Sequence, residues 1–62
     1  MKVRDIIREV ERAGWVYQSS EGSHHHFKHP KLPGKVTVPG HDRDDLRPRT
    51  LNSIRRAAGL MK

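Results

Sequence analysis

A chain of 62 residues can bury little more than one hydrophobic layer between a sheet and its helices. This excludes a deep substrate cavity and makes any functional site a surface. Cysteine is absent, which excludes disulfide staples and thiolate metal centres. No apolar run approaches a membrane span or the core of a signal peptide, so the expected setting is cytoplasmic, without a membrane partner. The net charge of +6 is uneven. Up to Glu21, Lys2, Arg4, Arg8 and Arg12 balance Asp5, Glu9, Glu11 and Glu21, so the excess lies from Gly22 onward. Basic charge placed this way points to a polyanionic partner, against the plainer reading of a basic face that only aids solubility.

Hydrophobic residues make up 32% of the chain, yet they fall in periodic positions, which argues against disorder. Val3, Ile6, Ile7, Val10 and Ala13 follow the i, i+3, i+4, i+7 spacing of an amphipathic helix. Its charged residues read as a solvated face, and Gly14 fits a left-handed cap. Trp15-Val16-Tyr17-Gln18 favours a strand, with Trp15 directed to the core rather than to stacking on bases. Ser19-Ser20-Glu21-Gly22 reads as a polar turn. The stretch Gly22-Ser23-His24-His25-His26-Phe27-Lys28-His29 returns from it and holds four of the five histidines. As a strand it alternates: His24, His26 and Lys28 on one face, His25, Phe27 and His29 on the other. Phe27 is the only phenylalanine and is expected in the core, which leaves His24, His26 and Lys28 in a row on the open face.

Pro30-Lys31-Leu32-Pro33-Gly34 breaks both helix and ladder and reads as a loop. Lys35-Val36-Thr37-Val38 is the third strand, ended by Pro39-Gly40, and His41 to Asp45 form an exposed charged connection. Pro48 fits the first position of a second helix, whose apolar stripe is Leu51, Ile54, Ala57 and Ala58. Gly59 fits its left-handed cap, with Leu60 as the accompanying hydrophobic contact. The expected fold is one α+β domain over residues 1–62. Its order is α-β-β-β-α, a three-stranded antiparallel sheet with two helices on one face and the histidines on the other.

These residues carry a family resemblance. Gly14-Trp15, the run Gly22 to Pro30, Val36-Thr37-Val38-Pro39, and the segment Leu51 to Leu60 with Ser53-Ile54 and Ala58-Gly59-Leu60 together resemble the HicA toxins, the small mRNA-cleaving partners of HicA–HicB toxin–antitoxin modules. The resemblance covers nearly the whole chain. It implies a double-stranded-RNA-binding-domain-like fold and ribonuclease activity with no cofactor. It also implies one catalytic histidine directly after Gly-Ser, here His24. A HicB-type antitoxin is the implied partner, and charge complementarity predicts that its contact surface is acidic. The chain departs from the family pattern at Arg49, where a smaller residue, often glycine, is expected before Thr50-Leu51. That departure bears on how the second helix starts.

The chemistry fits these residue types. RNA carries its own nucleophile, the 2′-hydroxyl, so a ribonuclease has to move protons and stabilise charge on the phosphoryl oxygens. An imidazole titrating near neutrality can do the first as general acid or base, and a lysine or arginine can do the second. His24 is the expected catalytic residue. Lys28 is its electrostatic support, and Gly22-Ser23 shape the turn. His26 is a second proton carrier or a phosphate contact, and His25 ranks third. Lys35 and Arg43 are further candidates for RNA contact. A zinc site is the competing reading, since His24 and His26 at alternate strand positions project together and His29 or His41 could complete the set. With no cysteine and no carboxylate within the strand, closed coordination is disfavoured. A plain RNA-binding module without chemistry is the third reading.

Overall fold

Val3, Ile6 and Val10 are completely buried, as their helical spacing requires, and they form the inner stripe of the first helix. In a computed structural model that describes residues 1–61, the elements are α1 (Val3–Arg12), β1 (Val16–Glu21), β2 (His24–Lys28), β3 (Lys35–Val38) and α2 (Pro48–Ala57). No helix among the described residues is long and apolar enough to cross a membrane.

The sheet is antiparallel in the order β1-β2-β3. Phe27 pairs with Val36 and His25 with Val38, so these four share a face. Phe27, Val36 and Val38 are buried against Val3, Ile6 and Val10 of α1 and Ile54 of α2, with Trp15 and Ala58 completing the core. Both helices therefore cover the same face, and the α+β architecture expected from the sequence is the one observed. Cross-strand pairing puts His26 with Thr37 and Lys28 with Lys35 on the opposite, open face.

β1 differs from expectation. It runs on through Ser19, Ser20 and Glu21, and the turn is only Gly22-Ser23. Tyr17 pairs with Phe27 but Ser19 with His26, so Gln18 is an extra residue, a β-bulge. The serines have weak strand preference, but the register is fixed by Phe27 in the core at one end and a two-residue hairpin at the other. The bulge also resets the alternation, so Tyr17 and Ser20 face the same way.

Both helices close alike. In α1 the amide of Gly14 donates to the Glu11 carbonyl and that of Trp15 to Val10; in α2 Gly59 donates to Arg56 and Leu60 to Arg55. This is the paired i−3 and i−5 bonding of a Schellman motif, with glycine in left-handed conformation. The residue that follows is buried in the first case, as Trp15, whereas Leu60 remains largely exposed. Ala57 is exposed too, so the inner stripe of α2 is Ile54 and Ala58 with Leu51 partly covered. One charge of α1 is not simply solvated. Glu9 accepts from Arg55 at 3.0 and 3.3 Å, which joins the two helices. The Trp15 indole N–H donates to the Ala58 carbonyl at 3.1 Å and satisfies a free carbonyl at the end of α2. The charged connection after β3 serves α1: the carbonyls of Asp42 and Asp44 accept from the Arg4 and Val3 amides.

Candidate active site on the open face of the sheet

The site begins at the hairpin. Glu21 and His24 pair across its last rung, leaving Gly22 and Ser23 to turn the chain. Gly22 has φ +61 and Ser23 does not enter the positive region, the signature of a type II′ turn with glycine first. The tight turn places His24 at the end of the open face, with Glu21 opposite and His26 two residues along.

The five histidines divide by their bonding. His29 is part of the framework. Its Nδ1 accepts the amides of Lys31 and Leu32 at 3.0 and 3.2 Å, so Nε2 carries the proton and donates to the Ala13 carbonyl at 3.1 Å. Its ring meets Trp15 edge to face, with centroids 5.3 Å apart. A Cβ on Gly14 would lie 2.6 Å from His29 Nε2, so the glycine is required both for its φ of +98 and for this approach. His25 is also fixed: Nε2 donates to the Gly40 carbonyl at 3.0 Å, and Nδ1 meets Ser20 Oγ at 3.2 Å, which in turn meets the Tyr17 hydroxyl at 2.8 Å. His26 Nδ1 lies 3.0 Å from Thr37 Oγ1. His24 is exposed, and its ring makes no hydrogen bond among the described residues.

His24 borders two recesses. One, of about 390 Å³, is lined by His24, Thr37 and Pro39 from the sheet side and by Arg49, Thr50, Ser53 and Ile54 of α2. The other, of about 290 Å³, is lined by Glu21, His24 and His26. An exposed imidazole with no hydrogen bond among the described residues, in recesses that Arg49 lines on one side and His26 on the other, can move a proton while a neighbouring cation holds an anion.

The family described as HicA toxin of bacterial toxin–antitoxin matches residues 3–60, from the first residue of α1 through the Schellman closure of α2. The chain belongs to the HicA toxin family. No curated protein matches it. Membership gives this HicA chain the toxin role of a toxin–antitoxin module and a cognate antitoxin as partner.

The remaining predicted site residues of this HicA toxin are spread more widely. Lys28 and Lys35 face each other on the open side. Lys28 lies four residues along β2 from His24, about 13 Å at the usual rise per strand residue, and lines a separate hollow with Val16, Gln18, His29 and Pro30. Arg43 is not brought to His24. It lines a groove of about 670 Å³ at the loop after β3, together with Arg4, His25, His41, Asp42 and Asp44. Neither His29 nor His41 stands with His24 and His26 to complete a metal site. Both nitrogens of His29 are used, His41 lies in the Arg43 groove, and no group of three or more possible ligands that could hold a metal occurs among the described residues. The sequence reading missed Arg49, Thr50 and Ser53. A signal was present in Arg49, the departure from the family pattern, but it pointed to the helix start. That start is intact, with Pro48 in the first turn and the Leu51 amide donating to Arg47.

Proposed function

We propose that this HicA toxin is a metal-independent endoribonuclease that cleaves mRNA by using the RNA's own 2′-hydroxyl, with His24 as general acid or base. The observation that carries this reading is the division of the histidine run. His25 and His29 spend both ring nitrogens on the protein, whereas the His24 ring, which borders two recesses, makes no hydrogen bond among the described residues.

Attack of the 2′-oxygen on phosphorus breaks the bond to the 5′-oxygen and yields a 2′,3′-cyclic phosphate and a 5′-hydroxyl. One proton leaves the nucleophile and one reaches the leaving group, and His24 handles one of these transfers. Arg49 shares the larger recess with His24 and is placed to stabilise the phosphoryl oxygens. Lys28 and Lys35, farther along the sheet, suit neighbouring phosphates of the bound strand, where they add affinity and salt dependence. An HicB-type antitoxin with an acidic contact surface inhibits by covering His24.

Cleavage of an RNA oligonucleotide by wild type and by His24→Ala tests the reading. The variant is expected to bind RNA and leave it intact. Products ending in a cyclic or 3′-phosphate, unaffected by EDTA, fit the proposal; a 5′-phosphate product or loss of activity with EDTA would indicate a metal-activated water instead. Binding without cleavage by wild type would leave a plain RNA-binding module.

A further inference from the structure

One nitrogen on the open face is buried and unpartnered. His26 Nε2 has no hydrogen-bond partner among the described residues, although the other nitrogen of its ring is held by Thr37 at 3.0 Å. The neighbouring acceptor is Glu21 Oε1 at 3.6 Å, beyond hydrogen-bond length. The two side chains differ sharply in freedom: His26 is 16% exposed and Glu21 is 85% exposed. A fixed ring thus directs its nitrogen toward a carboxylate that is free to swing away.

The tautomer follows from what faces each nitrogen. A carboxylate accepts and does not donate, so the proton belongs on Nε2, and Nδ1 receives the Thr37 hydroxyl. The result is an N–H donor with an anion near it but not bonded to it. Burying such a donor unpaired is unfavourable, and a ligand oxygen would remove that penalty. His26 lines, with Glu21, the recess that His24 also borders, and the nitrogen itself is covered in the free toxin.

We propose that the His26 Nε2–H binds a non-bridging oxygen of the scissile phosphodiester, and that Glu21 stands near that oxygen's place in the free toxin until RNA displaces it. Thr37 is a positioning residue that fixes the ring and its tautomer. The assignment rests on the reading of His24 as the proton-transfer group of a ribonuclease. It gives His26 the role of an oxygen donor rather than that of a second proton carrier, and it gives Glu21 a role opposed to binding rather than that of a base.

The test uses the whole chain, a mixed-sequence RNA oligonucleotide for cleavage, and its 2′-O-methyl copy, which cannot be cleaved, for affinity. Glu21→Gln removes the competing charge at an exposed position. It is expected to tighten binding of the copy severalfold and to speed cleavage at subsaturating RNA. Unchanged affinity would overturn the displacement, and a fall in cleavage of about a hundredfold would make Glu21 a general base instead. His26→Ala is expected to weaken binding by about tenfold, the scale of one lost hydrogen bond to a charged group. His26→Gln, which keeps an N–H donor near the same point, is expected to restore most of both affinity and cleavage. Loss in both variants with the fold intact by circular dichroism would assign a proton carrier and refute the donor role. If the His26 variants fail to fold, the Glu21→Gln affinity decides alone. His24→Ala separates the two levels: wild-type cleavage by that variant would sink the ribonuclease reading of His24, while the binding measurements would still judge His26.

Discussion

A histidine's role in this chain is set by what its two nitrogens meet. His24 is exposed and unbonded within the described residues, so His24→Ala should leave the melting temperature within about a degree or two of wild type, as for other surface changes that break no contact, while cleavage is lost. Phe27 is 1% exposed at the centre of the core. Phe27→Ala should cost about 3–5 kcal/mol and in a chain this small could abolish folding, as read by the loss of a cooperative melt. Gly14 gives a third measurement. Gly14→Ala and Gly34→Ala both force alanine into positive φ, but only at Gly14 does the new Cβ meet the His29 ring, since nothing lies within 4 Å at Gly34. Strain from φ alone is about 1–2 kcal/mol. Gly14→Ala should therefore lower stability measurably more than Gly34→Ala in a denaturant titration, and equal losses would show that the His29 contact gives way freely. The face of His24 was legible from strand alternation because Phe27 fixes which side is inner. The bonding of His25 and His29 was not, because their partners Gly40 and Ala13 lie 15 and 16 residues away in sequence and alternation carries no such information.

Among the elements, periodicity was sufficient for α1, β2, β3 and the start of α2 at Pro48, since each presents a clear apolar pattern or a strong punctuating residue. It reached only the first half of β1, Val16 to Gln18, because all six residues are exposed and no apolar rhythm marks Ser19 to Glu21 as strand. Pairing with the histidine strand, rather than propensity, makes them so. It also failed to say which side of α2 meets the sheet's edge. That lateral placement brings Arg49 into the recess of His24 and Thr37, and it has a consequence. Arginine and alanine have similar helix propensity, so Arg49→Ala should keep α2 and the melt while removing the cation that shares the site. Cleavage should fall by about tenfold or more, on the scale of one charge-assisted contact to the phosphate. Arg49→Lys should recover only part of this, because an ammonium lacks the planar fork. Full activity in Arg49→Ala would move the stabilising cation elsewhere, to Lys28 first.

On the scale of the whole molecule, charge and shape act together. The sheet separates a face packed under both helices from an open face that bears Lys28, Lys35, His24 and His26, with Arg49 at its rim. Glu21 is the acidic residue in those recesses. The cations of this face outnumber its one acid, whereas on α1 Arg4, Arg8 and Arg12 are balanced by Asp5, Glu9 and Glu11. If the antitoxin's contact surface is acidic, as proposed, it should be steered toward His24 rather than toward α1. Steering of this kind is a rate effect. Its range is about 8 Å at physiological ionic strength and shortens as salt is added, so the association rate should fall with salt while dissociation changes little. Stopped-flow association across a salt series checks this for wild type and two charge-reversed variants: Lys28→Glu with Lys35→Glu on the open face, and Arg8→Glu with Arg12→Glu on α1. The first pair should slow association strongly and flatten its salt dependence. The second pair changes net charge equally but lies on the helical side, and should have a smaller effect. Equal slowing by both would mean that only net charge matters, and would remove the open face as the antitoxin's landing surface. If the open face is where the antitoxin lands, the His24 ring signals in NMR should also shift and lose solvent exchange in the complex, since covering that face covers the exposed His24 ring.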